Sequence, residues 1–166
     1  MLKAQDLFVT IRLAMLGRTG WTYPELASAL QMSASEAHAA VKRATRSGLV
    51  DDVSRTARKG ALLEFLLHGV RYLIPPVWTG VTRGVPTSHA APPLNALITA
   101  DELPPVWPHP EGTTRGEGLV PVYRSVPDAA LKDAGLHEWL ALVDAIRSGR
   151  ARERELAARI IRERLA

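Results

Sequence analysis

The chain has 166 residues, 46% of them apolar and 23% charged, with a net charge of +4 and no cysteine. That length fits one domain, or one small domain with an appended region, with a core that needs no covalent staple. The absence of cysteine excludes disulfides, thiolate metal sites and cysteine nucleophiles, and no run of eighteen apolar residues offers a membrane span.

No signal-peptide pattern opens the chain, because Asp6 and Arg12 interrupt the first apolar positions. A cytoplasmic protein with no membrane partner is the expectation. The positive charge is unevenly placed. Residues 1–74 hold ten Lys and Arg against six Asp and Glu, while residues 75–127 and 128–166 are close to neutral. A basic N-terminal region suits a polyanionic partner.

In chain order, Lys3–Leu16 reads as a helix, with Leu7, Ile11 and Met15 on one stripe beside Phe8. Gly17 ends it, and Trp21 is expected to plug the core between this helix and the next. Thr22 is an N-cap, Pro24 sits in a first turn where its missing N–H costs little, and Glu25 faces the positive end of the helix dipole. Leu26, Ala27 and Leu30 form the apolar stripe of this second helix. Gln31-Met32 makes a turn. Ser33 and Glu36 form a capping box, and Ala37, Val41 and Ala44 recur at helical spacing until Gly48 stops the third helix.

The run Leu26-Ala27, Leu30, Met32-Ser33, Ala37, Val41, Ala44 and Gly48-Leu49-Val50 resembles the helix-turn-helix of winged helix-turn-helix transcriptional regulators. With its flanking helices the resemblance extends over residues 1–74. Two positions depart from the pattern: Gln31, where many members carry glycine, and Ala44, where a larger aliphatic is usual. The resemblance implies that the second helix of the pair, about residues 33–47, enters the major groove of double-stranded DNA by its N-terminal part. Its outward positions are then Ala34, Ser35, His38, Ala39, Lys42, Arg43 and Arg46. Lys42, Arg43 and Arg46 would neutralise phosphates, and Ser35 and His38 would reach base edges. One such helix reads only a few base pairs, so a homodimer on a two-fold site is expected.

After Gly48, Leu49–Val53 reads as a short strand and Ser54–Gly60 as a loop carrying Arg55, Arg58 and Lys59. A winged helix places a β-hairpin here. The sequence is too short for one, which predicts a stunted wing or a basic loop that adds phosphate contacts. Ala61–Leu73 is the most apolar helix, with apolar residues on more than one face, and is expected to be central.

Ile74–Val126 holds ten of the twelve prolines. The phrase Pro-Pro-Val-Trp occurs at residues 75–78 and 104–107, and Thr-Arg-Gly at 82–84 and 114–116. Val77–Val85 and Leu119–Tyr123 read as short strands, and Leu94–Ala100 as a helical turn or two. Arg83 and Arg115 are candidates for an anionic ligand or a partner's carboxylate. From Asp128 the chain is helical again, in Asp128–Lys132, Leu136–Ser148 and Ala151–Leu165, the last interleaving Arg and Glu.

No catalytic motif is present, and His38, His68, His89, His109 and His137 follow no metal-binding spacing. No enzyme activity, metal or cofactor is expected. The fold class is mainly α: a winged-helix-like DNA-binding domain at 1–74, a proline-rich linker or small β-containing region at 75–127, and a helical region for dimerisation or partner binding at 128–166. The function expected is sequence-specific transcriptional regulation. The alternative is an antitoxin or adaptor that occludes a partner enzyme through residues 75–166 and binds DNA only to regulate itself.

Overall fold

The computed structural model describes all 166 residues, 55% of them helical, in eight helices and one small three-stranded sheet. The mainly helical expectation fits. Helix α1 spans Ala4–Leu16; its residue Asp6 accepts the Lys3 N–H at 2.8 Å and so caps the first turn. Helix α2 spans Tyr23–Leu30, with Thr22 and Glu25 capping each other reciprocally. Helix α3 spans Ala34–Arg46 and opens with the expected Ser33–Glu36 capping box.

The turn between α2 and α3 depends on Gln31, which takes the left-handed conformation at φ 53°. Glycine adopts that geometry freely, whereas another residue bears about 1–2 kcal/mol there. Gln31 offsets part of this by donating its side-chain amide to the Ser28 carbonyl at 2.7 Å. The buried stripes of the three helices converge, with Leu7, Phe8, Ile11, Leu26, Leu30, Ala37 and Ala44 all 2% exposed or less.

Three expectations need correction in the next stretch. Leu49–Val53 is no strand: a single antiparallel bridge joins Val50 to Ala57. Asp51 Oδ1 accepts the N–H groups of Val53 and Ser54, and that bends the segment into a loop. The apolar stretch 61–73 is two helices, α4 (Lys59–His68) and α5 (Val70–Leu73). They break at Gly69, where the Phe65 ring occupies the space of a Cβ, 2.8 Å from its position. Nor is this stretch the central helix, because α4 fully buries only Leu62 and Leu66.

The proline-rich middle forms strands β1 (Trp78–Pro86), β2 (Pro105–Pro108) and β3 (Thr114–Leu119), closed on one another as a minute barrel. β1 runs antiparallel to both partners, and β2 meets β3 in parallel. The two Thr-Arg-Gly phrases lie opposite each other, with Arg83 paired to Arg115, Thr82 to Gly116 and Gly84 to Thr114. Their glycines are required by close approach. A Cβ on Gly84 would lie 2.0 Å from the Trp107 carbonyl oxygen, and one on Gly116 2.0 Å from that of Pro104. The two Pro-Pro-Val-Trp phrases are not equivalent, since the first leads into β1 and the second is mostly β2. The expected strand Leu119–Tyr123 is replaced by Thr114–Leu119, because Pro121 has no N–H for a ladder. Within Leu94–Ala100 only Leu94–Ala96 is helical, as a 3₁₀ turn.

Helices α6 (Val126–Lys132), α7 (Ala134–Ser148) and α8 (Ala151–Leu165) complete the chain. The most enclosed helix is α7, buried continuously from Trp139 to Arg147. It packs on α1, α4, α5, α6 and α8 and on the 3₁₀ turn Ser88–Ala90. One cluster of buried apolar side chains runs from Leu7 to Leu165 and includes Val85 and Trp107 of the β unit.

A buried polar hub fixes that β unit to α7. Asp144 Oδ2 accepts the Thr87 hydroxyl and the Trp107 indole N–H, each at 2.7 Å, and Oδ1 accepts Arg147 Nε at 2.7 Å. Arg147 also donates to the carbonyls of Val120, Ile74 and Pro75. The strands' entry, exit and middle are thereby tied to one turn of helix.

Candidate nucleic-acid interface

The outward face of α3 carries Ala34, Ser35, His38, Lys42 and Arg46, all exposed, with Ala39 half-buried beside them. Ala37, Ala40, Val41 and Ala44 hold the opposite face in the core. Ala34 and Ser35 thus make the outward side of the first turn of α3 small, Glu36 in the same turn is half-buried, and the two free cations of the helix stand toward its C-terminal end.

Arg43 is not on this face. Its Nε and Nη2 form a two-pronged contact with the fully buried carboxylate of Asp6, at 2.7–3.0 Å, and Nη2 also reaches Gln5 Oε1 at 3.1 Å. Those bonds and the neighbouring charge push its pKa further up. The guanidinium joins α3 to α1 and is committed inside the protein.

One flank of α3 is a groove of about 440 Å³ whose wall includes Tyr23, His38, Lys42, Arg46 and Arg55. Arg55 lies 4.0 Å above the Trp21 ring, Trp21 meets Tyr23 edge-on at 5.2 Å, and Tyr23 meets His38 at 4.9 Å. Trp21 is half-buried against the core and donates its indole N–H to the Arg55 carbonyl at 3.2 Å. It thus positions the basic loop as well as packing beneath it. Arg58 is exposed but paired with Asp51 at 3.1 Å, and Lys59 is exposed in the first turn of α4.

The other flank is built by residues distant in sequence. Tyr123 Oη donates to Glu36 Oε1 at 2.8 Å, and Arg124 binds the same oxygen. Ser125 Oγ donates to the Leu30 carbonyl at 2.7 Å, and Lys132 Nζ reaches Gln31 Oε1 at 3.1 Å. Two further exposed cations, Arg124 and Lys132, therefore stand beside the turn and the start of α3. Nothing local in the sequence signals them.

The Ser33 N–H, then Tyr123, Arg124 and the Ser33 hydroxyl lower the Glu36 pKa from 4.5 to about 2. A lowered folded value means that the unfolded chain binds the proton first as pH falls. The stabilisation is complete above about pH 4.5 and is lost toward pH 2. In urea titrations, the stability gap between the native chain and Glu36→Gln is expected to shrink over that range. A gap independent of pH would contradict this assignment.

Arg83 and Arg115 are exposed cross-strand neighbours on the β unit, and neither side chain bonds within the chain. The histidines are scattered: His109 pairs with Asp128 at 2.7 Å, His89 with Glu153 at 3.4 Å, and His137 donates to the Pro86 carbonyl at 2.7 Å. No three His, Asp or Glu side chains converge as a metal site, and no helix is long and apolar enough to cross a membrane. No protein-family model matches the chain, and no curated protein or solved structure matches it.

Proposed function

We propose that the chain is a cytoplasmic, sequence-specific DNA-binding transcriptional regulator that lays the first turns of α3 in the major groove and works as a homodimer. The observation that carries this reading is the outward face of α3: small residues where the backbone must approach bases, with Lys42 and Arg46 free beyond them. Ser35 and His38 are the side chains within reach of base edges, and Lys42, Arg46, Arg55 and Lys59 meet phosphates. Lys132 extends the same positive rim, and Arg124 contributes only if it leaves Glu36. Arg43 has no part in the contact, and Arg58 contributes only if it leaves Asp51.

The Lys42→Ala/Arg46→Ala variant is expected to bind a duplex about 10- to 100-fold more weakly, whatever its sequence, with a salt slope shallower by about 2. Unchanged affinity and slope in a salt titration would exclude α3 as the contact.

A second reading, binding of a partner protein through residues 75–166, draws on a different observation. Val77, Trp78 and Val120 are each 40% or more exposed around the entry to β1 and the exit from β3. A Val77→Glu variant would lose such a partner while keeping its affinity for DNA.

A further inference from the structure

A cavity of about 540 Å³, within the range of small-molecule sites, lies between the β unit and the junction of α7 with α8. Its lining includes Trp78 on β1, 45% exposed, the turn that begins at Ser88, and Ser148–Arg150. Ser88 is 1% exposed and lines this cavity; its hydroxyl makes no hydrogen bond within the chain and keeps contact with solvent. Its backbone is held in the left-handed region, at φ 53°.

The charge around that hydroxyl selects the ligand. Glu102, Glu117 and Glu153 all line the cavity. Glu102 is engaged by Arg150 at the exposed rim, and Glu153 accepts the Arg150 N–H at 2.7 Å and faces His89. Glu117, half-buried on β3, has no hydrogen-bond or ion-pair partner. A free carboxylate, an unpartnered hydroxyl and an exposed indole are three contacts a small organic cation uses: a charge-assisted hydrogen bond, a neutral one and an apolar surface for its stem.

We propose that this cavity binds a small organic cation, a primary amine or guanidinium on a short aliphatic stem. The ammonium or guanidinium donates to Glu117 and Ser88, and the stem lies along Trp78. The site does not involve α3, so it stands whether or not the chain binds DNA.

Isothermal titration calorimetry of the full chain with 1,4-diaminobutane and with butylguanidinium tests it, with acetate as the anionic control. Saturable binding of at least one cation below about 1 mM is expected. Glu117→Gln is expected to weaken it about tenfold or more and Ser88→Ala about threefold to tenfold. Arg83→Ala, which leaves the cavity intact, is expected to bind as the native chain does. Absence of saturation by either cation up to about 20 mM overturns the proposal, as does acetate binding equally well or Glu117→Gln leaving cation affinity unchanged.

Discussion

Replacing Asp144 by asparagine is expected to lower stability by about 3–5 kcal/mol, enough to leave much of a marginal domain unfolded. The substitution is nearly isosteric, so the loss would come from chemistry and not from volume. Asp144 is 1% exposed and accepts from three donors, Thr87, Trp107 and Arg147, without donating to any. Asparagine must turn an NH₂ toward one of them, and it leaves the Arg147 guanidinium buried without its counter-charge. Because Arg147 also holds the carbonyls of Ile74, Pro75 and Val120, release of the β unit from α7 should follow. Urea denaturation followed by tryptophan emission measures both effects, since Trp107 reports on the hub directly. A loss below about 1 kcal/mol would show that the hub contributes little.

Arg43→Met is expected to cost about 2–4 kcal/mol of stability, yet to change DNA affinity less than threefold under conditions where the variant remains folded. The Arg43 side chain is 22% exposed and that of Asp6 is not exposed at all, so truncation strands a buried carboxylate. The remaining Lys3 N–H and whatever water enters satisfy only part of it, and the cost is set below that of a fully enclosed pair for that reason. Arg43→Lys should recover part of the loss, since an ammonium matches the charge without the two-pronged geometry. The contrast with Lys42, one residue away, is the informative part: one cation serves the fold and its neighbour the surface. If Arg43→Met instead weakened DNA binding as much as Lys42→Ala while leaving stability intact, the placement of both residues would be wrong.

That pair also marks what the sequence made legible. The starts of α2 and α3 could be read because capping is local: Ser33 and Glu36 are three residues apart, and so are Thr22 and Glu25. Which cations turn inward could not be read from charge, because Arg43's partner is 37 residues away in α1. The partners of Glu36, Tyr123 and Arg124, are 87 and 88 residues away and lie in a proline-rich stretch without helical or strand periodicity. β1 was legible as Val77–Val85, but its pairing with β2 and β3 was not, since prolines and glycines mask the alternation that marks a strand. The break falls at Gly69, a helix-weakening residue that the apolar periodicity passes over. The apolar stretch 61–73 drew attention as the central helix. α7 is central instead, its apolar run Trp139–Val143 buried on every side, and Asp144 and Arg147 beyond it are polar side chains whose burial is intelligible only once their partners are in place.

Fluorescence anisotropy of the full chain on its own upstream DNA, against a shuffled duplex of equal length and composition at near-physiological salt, tests the DNA-binding reading most directly. Binding to the upstream duplex at least ~10³-fold tighter, abolished or strongly weakened by Lys42→Ala/Arg46→Ala, is the result expected of a sequence-specific regulator. Equal weak binding to both duplexes, or none to either, would contradict it and would turn attention to a protein partner for residues 75–166.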